Sequence, residues 1–169
     1  MTATSLLGRV VHDEDGVRLE FVRLFATPPE DVWSAITDPE LLSRWFGSWT
    51  GDPTTGTVTL VIAEEGAEPS PATIQECDPP RRLAVTTEGP DGPWPLSVDL
   101  AEEGPGTRLR FVHVLAEPYD ATAIGPGWQY YLDRLGAVLL DAPVPDDFTE
   151  YHPALGDAYA VPPLPGSGG

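Results

Sequence analysis

The stretch Gly125 to Leu140, GPGWQYYLDRLGAVLL, constrains this chain more than any other. At a helical step, Trp128, Tyr131, Leu132, Leu135, Val138 and Leu139 fall on one side, while Gln129, Asp133, Arg134 and Ala137 fall largely on the other. That is the i, i+3, i+4, i+7 pattern of a helix with a single apolar stripe. Pro126 suits a first-turn position, where its missing N–H costs nothing, so Gly125 reads as the cap. About 15 residues at ~1.5 Å each give ~22 Å, close to the width of a small sheet. The stripe is too wide for a coiled-coil seam, so the rest of the chain has to supply a broad apolar partner.

The bulk properties bound what that partner belongs to. The chain has 169 residues, 41% of them hydrophobic, enough for one globular domain with a real core and short for two. Its net charge is −18, from 27 acids against nine arginines and no lysine, which argues against nucleic acid and against an anionic membrane surface. Solubility is the plain reading of that charge. One cysteine, Cys77, excludes an internal disulfide and any multi-cysteine metal site. The opening MTATSLLGRVVHDED lacks the basic start and long apolar run of a signal peptide. No apolar run approaches the ~20 residues of a membrane span. The expectation is a soluble, cytoplasmic protein.

Along the chain, Leu6 to Val11 and Val17 to Ala26 are apolar-rich runs joined through Asp13-Glu14-Asp15-Gly16, a hairpin signal. In the second run both alternating sets carry large apolar residues, so cover on part of each face is expected. Thr27-Pro28-Pro29-Glu30 reads as a helix start, with Thr27 capping, Pro28 at the first position and Glu30 completing a capping box. Val32, Trp33 and Ile36 form that helix's buried side. Asp38-Pro39-Glu40 opens a second short helix through Leu41, Leu42, Trp45 and Phe46, ended by Gly47. Strands follow at Thr57 to Ile62, Thr73 to Cys77, Arg82 to Thr87, Leu96 to Ala101 and Arg108 to Leu115. The turns between them, such as Asp78-Pro79-Pro80-Arg81 and Gly104-Pro105-Gly106, are short. Short turns mean an antiparallel meander, because parallel neighbours need long crossovers. The predicted class is therefore α+β: a curved antiparallel sheet around one long C-terminal helix, with two short helices near the N-terminus plugging an end. Residues 1–160 read as one domain, including an extension over 141–160 in which Phe148, Tyr151, His152, Leu155 and Tyr159 lie back over it. Residues 161–169 read as a flexible tail.

Several segments together resemble a known superfamily. They are Pro28-Pro29-Glu30-Asp31-Val32-Trp33, Thr37-Asp38-Pro39-Glu40-Leu41, Arg44-Trp45-Phe46, Asp78-Pro79-Pro80-Arg81-Arg82-Leu83, Gly106-Thr107-Arg108-Leu109, and Gly127-Trp128 with Tyr131-Leu132-Asp133-Arg134-Leu135. In this order, from about Leu6 to Tyr159, they look like the SRPBCC (START and birch-pollen-allergen-like) superfamily. Within it they most resemble the branch named for the activator of heat-shock protein 90 ATPase. The resemblance implies the helix-grip fold, with a cavity between sheet and helix. Superfamily relatives bind lipids, hormones and polyketides, and some catalyse cyclisation or aromatisation.

The candidate cavity residues are Val58, Leu60, Ile74, Val85, Val98, Phe111 and His113 from the strands, Trp45, Phe46 and Trp49 from the second short helix and beyond, and Trp128, Tyr131 and Leu135 from the long helix. For Trp45, Phe46 and Trp49 two readings stand side by side, a seal on the core or the mouth of a pocket. Trp33 reads as core packing. His113 shares strand parity with Leu109 and Phe111; it is either a satisfied core histidine or a donor that orients a ligand. Cys77 reads as a buried, inert thiol. The acidic pairs Glu64-Glu65 and Glu102-Glu103 read as solvated edges rather than a glycosidase pair. No catalytic residue, cofactor or metal site is assigned. The function expected is binding of a small, largely hydrophobic molecule, lipid-, aromatic- or polyketide-like. The alternatives are a polyketide cyclase or aromatase, with His113 or Tyr131 shuttling a proton, and a chaperone-associated interaction module. The sequence leaves a homodimer open.

Overall fold

The structure, a computed structural model, describes residues 8–14, 16–62, 68–89, 92–115, 121–151 and 159. The expectations for Leu6, Asp15, Glu64, Glu65, His152, Leu155 and the 161–169 tail lie outside those residues. The elements in order are β1 (Arg9–Asp13), β2 (Gly16–Phe25), α1 (Pro29–Thr37), α2 (Pro39–Leu42), β3 (Gly47–Thr50), β4 (Thr57–Ile62), β5 (Ser70–Asp78), β6 (Arg82–Gly89), β7 (Gly92–Glu103), β8 (Gly106–Leu115) and α3 (Ala121–Leu139). The strands form one curved antiparallel sheet in the order β1-β2-β8-β7-β6-β5-β4-β3. After the β1–β2 hairpin, α1 and α2 carry the chain to the far edge, and β3 to β8 meander back until β8 pairs with β2.

Strand alternation sorts the core. Leu19 and Phe21 of β2, Leu109 and Phe111 of β8, and Leu100 of β7 are buried on one face together with Trp128, Leu132 and Leu135 of α3. Each fully buried Leu or Phe contributes roughly 1.5–3 kcal/mol. The opposite face of β2 is covered less than the sequence suggests: Val22 and Leu24 are 45% and 67% exposed. Only Glu20 is buried there, because Arg9, Arg18 and Arg110 close over it at 2.8, 2.7 and 3.0 Å. Burial alone would raise its carboxyl, but the Arg9 and Arg18 hydrogen bonds and the Arg110 charge outweigh that and hold it at about 2.

Several boundaries differ from the sequence reading, those of the helices for local reasons. In α1 the cap is Pro28, with Pro29 at the first helical position and no side-chain cap; the Thr27 carbonyl instead accepts from the Thr107 hydroxyl at 2.6 Å. Asp38 does cap α2, accepting from the Glu40 N–H at 2.9 Å. That helix ends at Leu42, and Gly47 starts β3 rather than ending a helix. The long helix begins at Ala121, so Pro126 lies inside it, without an N–H to offer the Thr122 carbonyl. Gln129, placed away from the apolar stripe, is fully buried, since the Tyr159 hydroxyl donates to its Oε1 at 2.8 Å. Tyr151 and Tyr159 thus cover the second side of α3. Tyr159 packs on Phe21, and Tyr151 donates to Asp133 at 2.8 Å, the carboxylate that also holds buried Arg23 at 2.7 Å.

Candidate functional site

Between α3 and the concave face of the sheet lies a hollow of about 300 Å³. Its floor is strand parity made visible: Val58 and Leu60 of β4, Ile74 of β5, Val85 of β6, Val98 of β7 and Phe111 of β8 all face it. Trp128 and Leu135 of α3 form its roof, and Trp45, Phe46 and Trp49 close one flank. Of the other sequence candidates, Tyr131 lines a second hollow of about 270 Å³, while His113 lines neither. The second hollow lies further toward the start of α3, between Trp94, Leu96 and Thr87 on the sheet and Ile124, Gly127, Trp128 and Tyr131 on the helix.

Two of the flanking tryptophans combine both roles the sequence left open. The Trp45 indole N–H donates to the Ala35 carbonyl at 2.9 Å, and the Trp49 N–H to the Thr37 carbonyl at 2.8 Å. Carbonyls at the end of a helix have no partner within it, so these indoles finish the last turn of α1 while their ring faces wall the hollow. Arg134 fixes the same flank from outside. Its Nε donates to the Trp45 carbonyl at 2.9 Å, its Nη1 donates to the Pro145 carbonyl, and its guanidinium stacks over Tyr130.

His113 sits one layer behind the hollow and is fully buried. Its Nδ1 accepts from the Trp128 indole at 3.0 Å, so the proton of the neutral ring lies on Nε2, which has no hydrogen-bond partner among the described residues. Burial pushes its pKa down to about 4, and the ring is neutral at pH 7. The Trp94 ring packs against it at 4.7 Å. His113 therefore orients Trp128 rather than facing the space a ligand would fill.

Cys77 is exposed, not buried, and it stands at the rim of the main hollow. The cause is a β-bulge between Ile74 and Glu76, which advances the alternation by one residue. Cys77 rather than Glu76 then follows Ile74 onto the concave face, at a strand end that none of the described residues covers. Other wall residues were missed by the sequence reading. Leu83 and Leu96 share strand parity with Val85 and Val98 and could have been found from it. Trp33, read as plain core, also reaches the hollow. Trp94, between Pro93 and Pro95, lies before the strand expected from Leu96, and β7 in fact starts at Gly92. The β7–β8 ladder starts only at Leu96, so a proline before it breaks no bond of that ladder.

Among the described residues no group of three or more His, Cys, Asp or Glu is placed to hold a metal ion, and no helix is long and apolar enough to cross a membrane. What the arrangement can do chemically is desolvate an apolar molecule between rigid rings.

Comparison with known proteins bears on this geometry. The family described as Activator of Hsp90 ATPase homolog 1-like protein matches residues 26–140. No curated protein matches the chain. Among solved structures, CalU16 from Micromonospora echinospora is 26% identical over 90% of this chain and 92% of its own, with a TM-score of 0.72. The BPP1335 protein of Bordetella parapertussis is 23% identical over 86% and 87%, with a TM-score of 0.71. DynU16, a protein of the dynemicin biosynthetic locus, is 19% identical over 77% of this chain and 50% of its own, with a TM-score of 0.66. The matched span runs from the end of β2 through α3, the stretch that builds both hollows, and the chain belongs to the Activator of Hsp90 ATPase homolog 1-like family of the SRPBCC superfamily.

Proposed function

We propose that the protein binds a small, largely apolar molecule in the hollow between the sheet and α3. The observation that supports this reading is the volume itself. Protein interiors pack to near crystal density, so about 300 Å³ left open among Leu, Val, Ile, Phe and Trp side chains is space the fold maintains. It also reaches the lower end of small-molecule sites, ~300 Å³. Affinity comes from apolar area removed from water, at roughly 25 cal/mol per Å².

The cyclase reading is weaker, because it needs a titratable group facing the substrate. His113 is screened from the hollow by Trp128, and among the described residues the titratable groups on the walls are Cys77 at the rim and Tyr131 in the second hollow. The interaction-module reading looks to the exposed Val22, Leu24 and Val114, but these stand opposite Arg110, Arg108 and Arg18 in the ladder. The test is native mass spectrometry of the protein purified from its own host. A reproducible extra mass, released on denaturation, is expected. The bare polypeptide mass, with no uptake from an apolar extract of the same cells, would overturn the reading.

A further inference from the structure

The two hollows are neighbours separated by a pair of rings. Phe46, Leu60, Thr87, Leu96 and Trp128 border both. Across the gap Phe46 stacks on Trp128, with ring centres 5.6 Å apart and planes at 25°. The two rings are held very differently. Trp128 is pinned by its hydrogen bond to buried His113. Phe46 follows a four-residue helix, and its buried side chain, with no polar atom to anchor it, is held by packing that includes ring contacts with Trp45, Trp128 and Tyr131. One ring is tied by a hydrogen bond and the other is held by packing alone.

Two independent rulers show that the hollows lie end to end. On α3, Leu135 lines the first, Trp128 both, and Ile124 the second, so the pair spans 11 residues or roughly 16 Å at ~1.5 Å per residue. On β7, Val98 lines the first and Trp94 the second, roughly 13 Å at ~3.3 Å per residue. Either hollow alone sits at the small end of ligand sites, whereas the two joined fall well inside the ~300–1,000 Å³ range.

Charge narrows the occupant further. The chain has nine arginines and no lysine. All nine arginines lie among the described residues, and none lines either hollow. Among the described lining residues none carries a carboxylate either. A charged group taken into such walls would lose its hydration with nothing to replace it.

We propose that Phe46 is a gate between two chambers, and that the ligand is an uncharged, elongated molecule of roughly 15 Å that threads past it. This deepens the ligand-binding reading and rests on it. Trp128 stays in place while Phe46 swings aside, so the gate controls which lengths enter and how fast.

The probes are 1-hexanol, which one chamber holds, 1-dodecanol, which needs both, and dodecanoate, the charged counterpart, all followed by intrinsic tryptophan fluorescence. Affinity is expected to climb about threefold or more per added methylene through to dodecanol, as each is buried. Dodecanoate is expected to bind at least about a hundredfold more weakly than dodecanol. Phe46→Leu should speed dodecanol association about tenfold more than it speeds hexanol association; Phe46→Trp, which fattens the gate without emptying the core, should cut dodecanol affinity to the level of hexanol. An affinity that plateaus at hexanol, equal effects of both variants on short and long alcohols, or dodecanoate matching dodecanol would overturn the proposal and leave the ligand-binding reading standing. Binding of none of the three probes would sink both.

Discussion

A neutral ring is the form of His113 that the fold favours, since the imidazole is fully buried and its Nδ1 is committed as an acceptor to Trp128. Protonation would put a donor where an acceptor is needed and strand a charge among rings. This has a pH signature whose sign can be worked out. The folded pKa, about 4, lies below the ordinary 6.5, so above pH 6.5 both states are neutral and the stability is fully present. As pH falls from 6.5 toward 4, the unfolded chain takes up the proton first and the fold loses about 1.4 kcal/mol per unit, about 3 kcal/mol in all. His113→Gln keeps an acceptor for the Trp128 indole and removes the titration. Urea unfolding of both proteins at pH 7.5 and 4.5 should show the wild type losing about 2–3 kcal/mol relative to the variant. Glu20 titrates in both proteins, so it cancels from that difference. An unchanged gap would mean that His113 is hydrated or charged in the fold.

At the scale of elements, α3 is held from two sides, by the sheet and by Tyr151 and Tyr159. Tyr159 is the clearest link: its ring sits on Phe21, its hydroxyl donates to Gln129 and accepts from the Gly8 N–H at 3.0 Å, and burial raises it to about 12. Gly125 makes this possible, because a Cβ there would come within 2.3 Å of the Tyr159 ring. Gly125→Ala should therefore destabilise by about 1–2 kcal/mol, since overpacking costs ~1–3 kcal/mol and the helix preference of Ala over Gly returns only ~1 kcal/mol of it. In a Tyr159→Ala background the same change should turn neutral or stabilising, and a denaturant double-mutant cycle reads the coupling. Additive effects would detach Tyr159 from the helix. Legibility follows the same logic. The stripe on α3 and the parity of β4, β6, β7 and β8 were readable because each repeats a period over several residues. Short or interrupted elements were not: β3 has four residues, β7 begins on two prolines, and the β5 bulge shifts the period silently. The burial of Gln129 was invisible because it depends on residue 159, thirty positions away and outside any local pattern.

The whole molecule separates its charges from its hollow. Carboxylates and arginines meet on the convex face, as at Glu20, and at the buried Arg23–Asp133 pair behind α3, while the described walls of both chambers are uncharged. The family's fold explains why a single helix laid across a cupped sheet can leave room: α1 and α2 close one flank through indole caps instead of filling the centre. The central claim is that this room is real and apolar in solution. Methyl NMR under xenon pressure tests it most directly, since xenon enters dry apolar cavities. Saturable shifts are predicted for methyls of Val85, Val98, Leu132 and Leu135, with Val22 and Leu24 on the outer face unmoved. Methyl resonances of the hollow that ignore xenon, or that shift no more than those outer-face methyls, would contradict it.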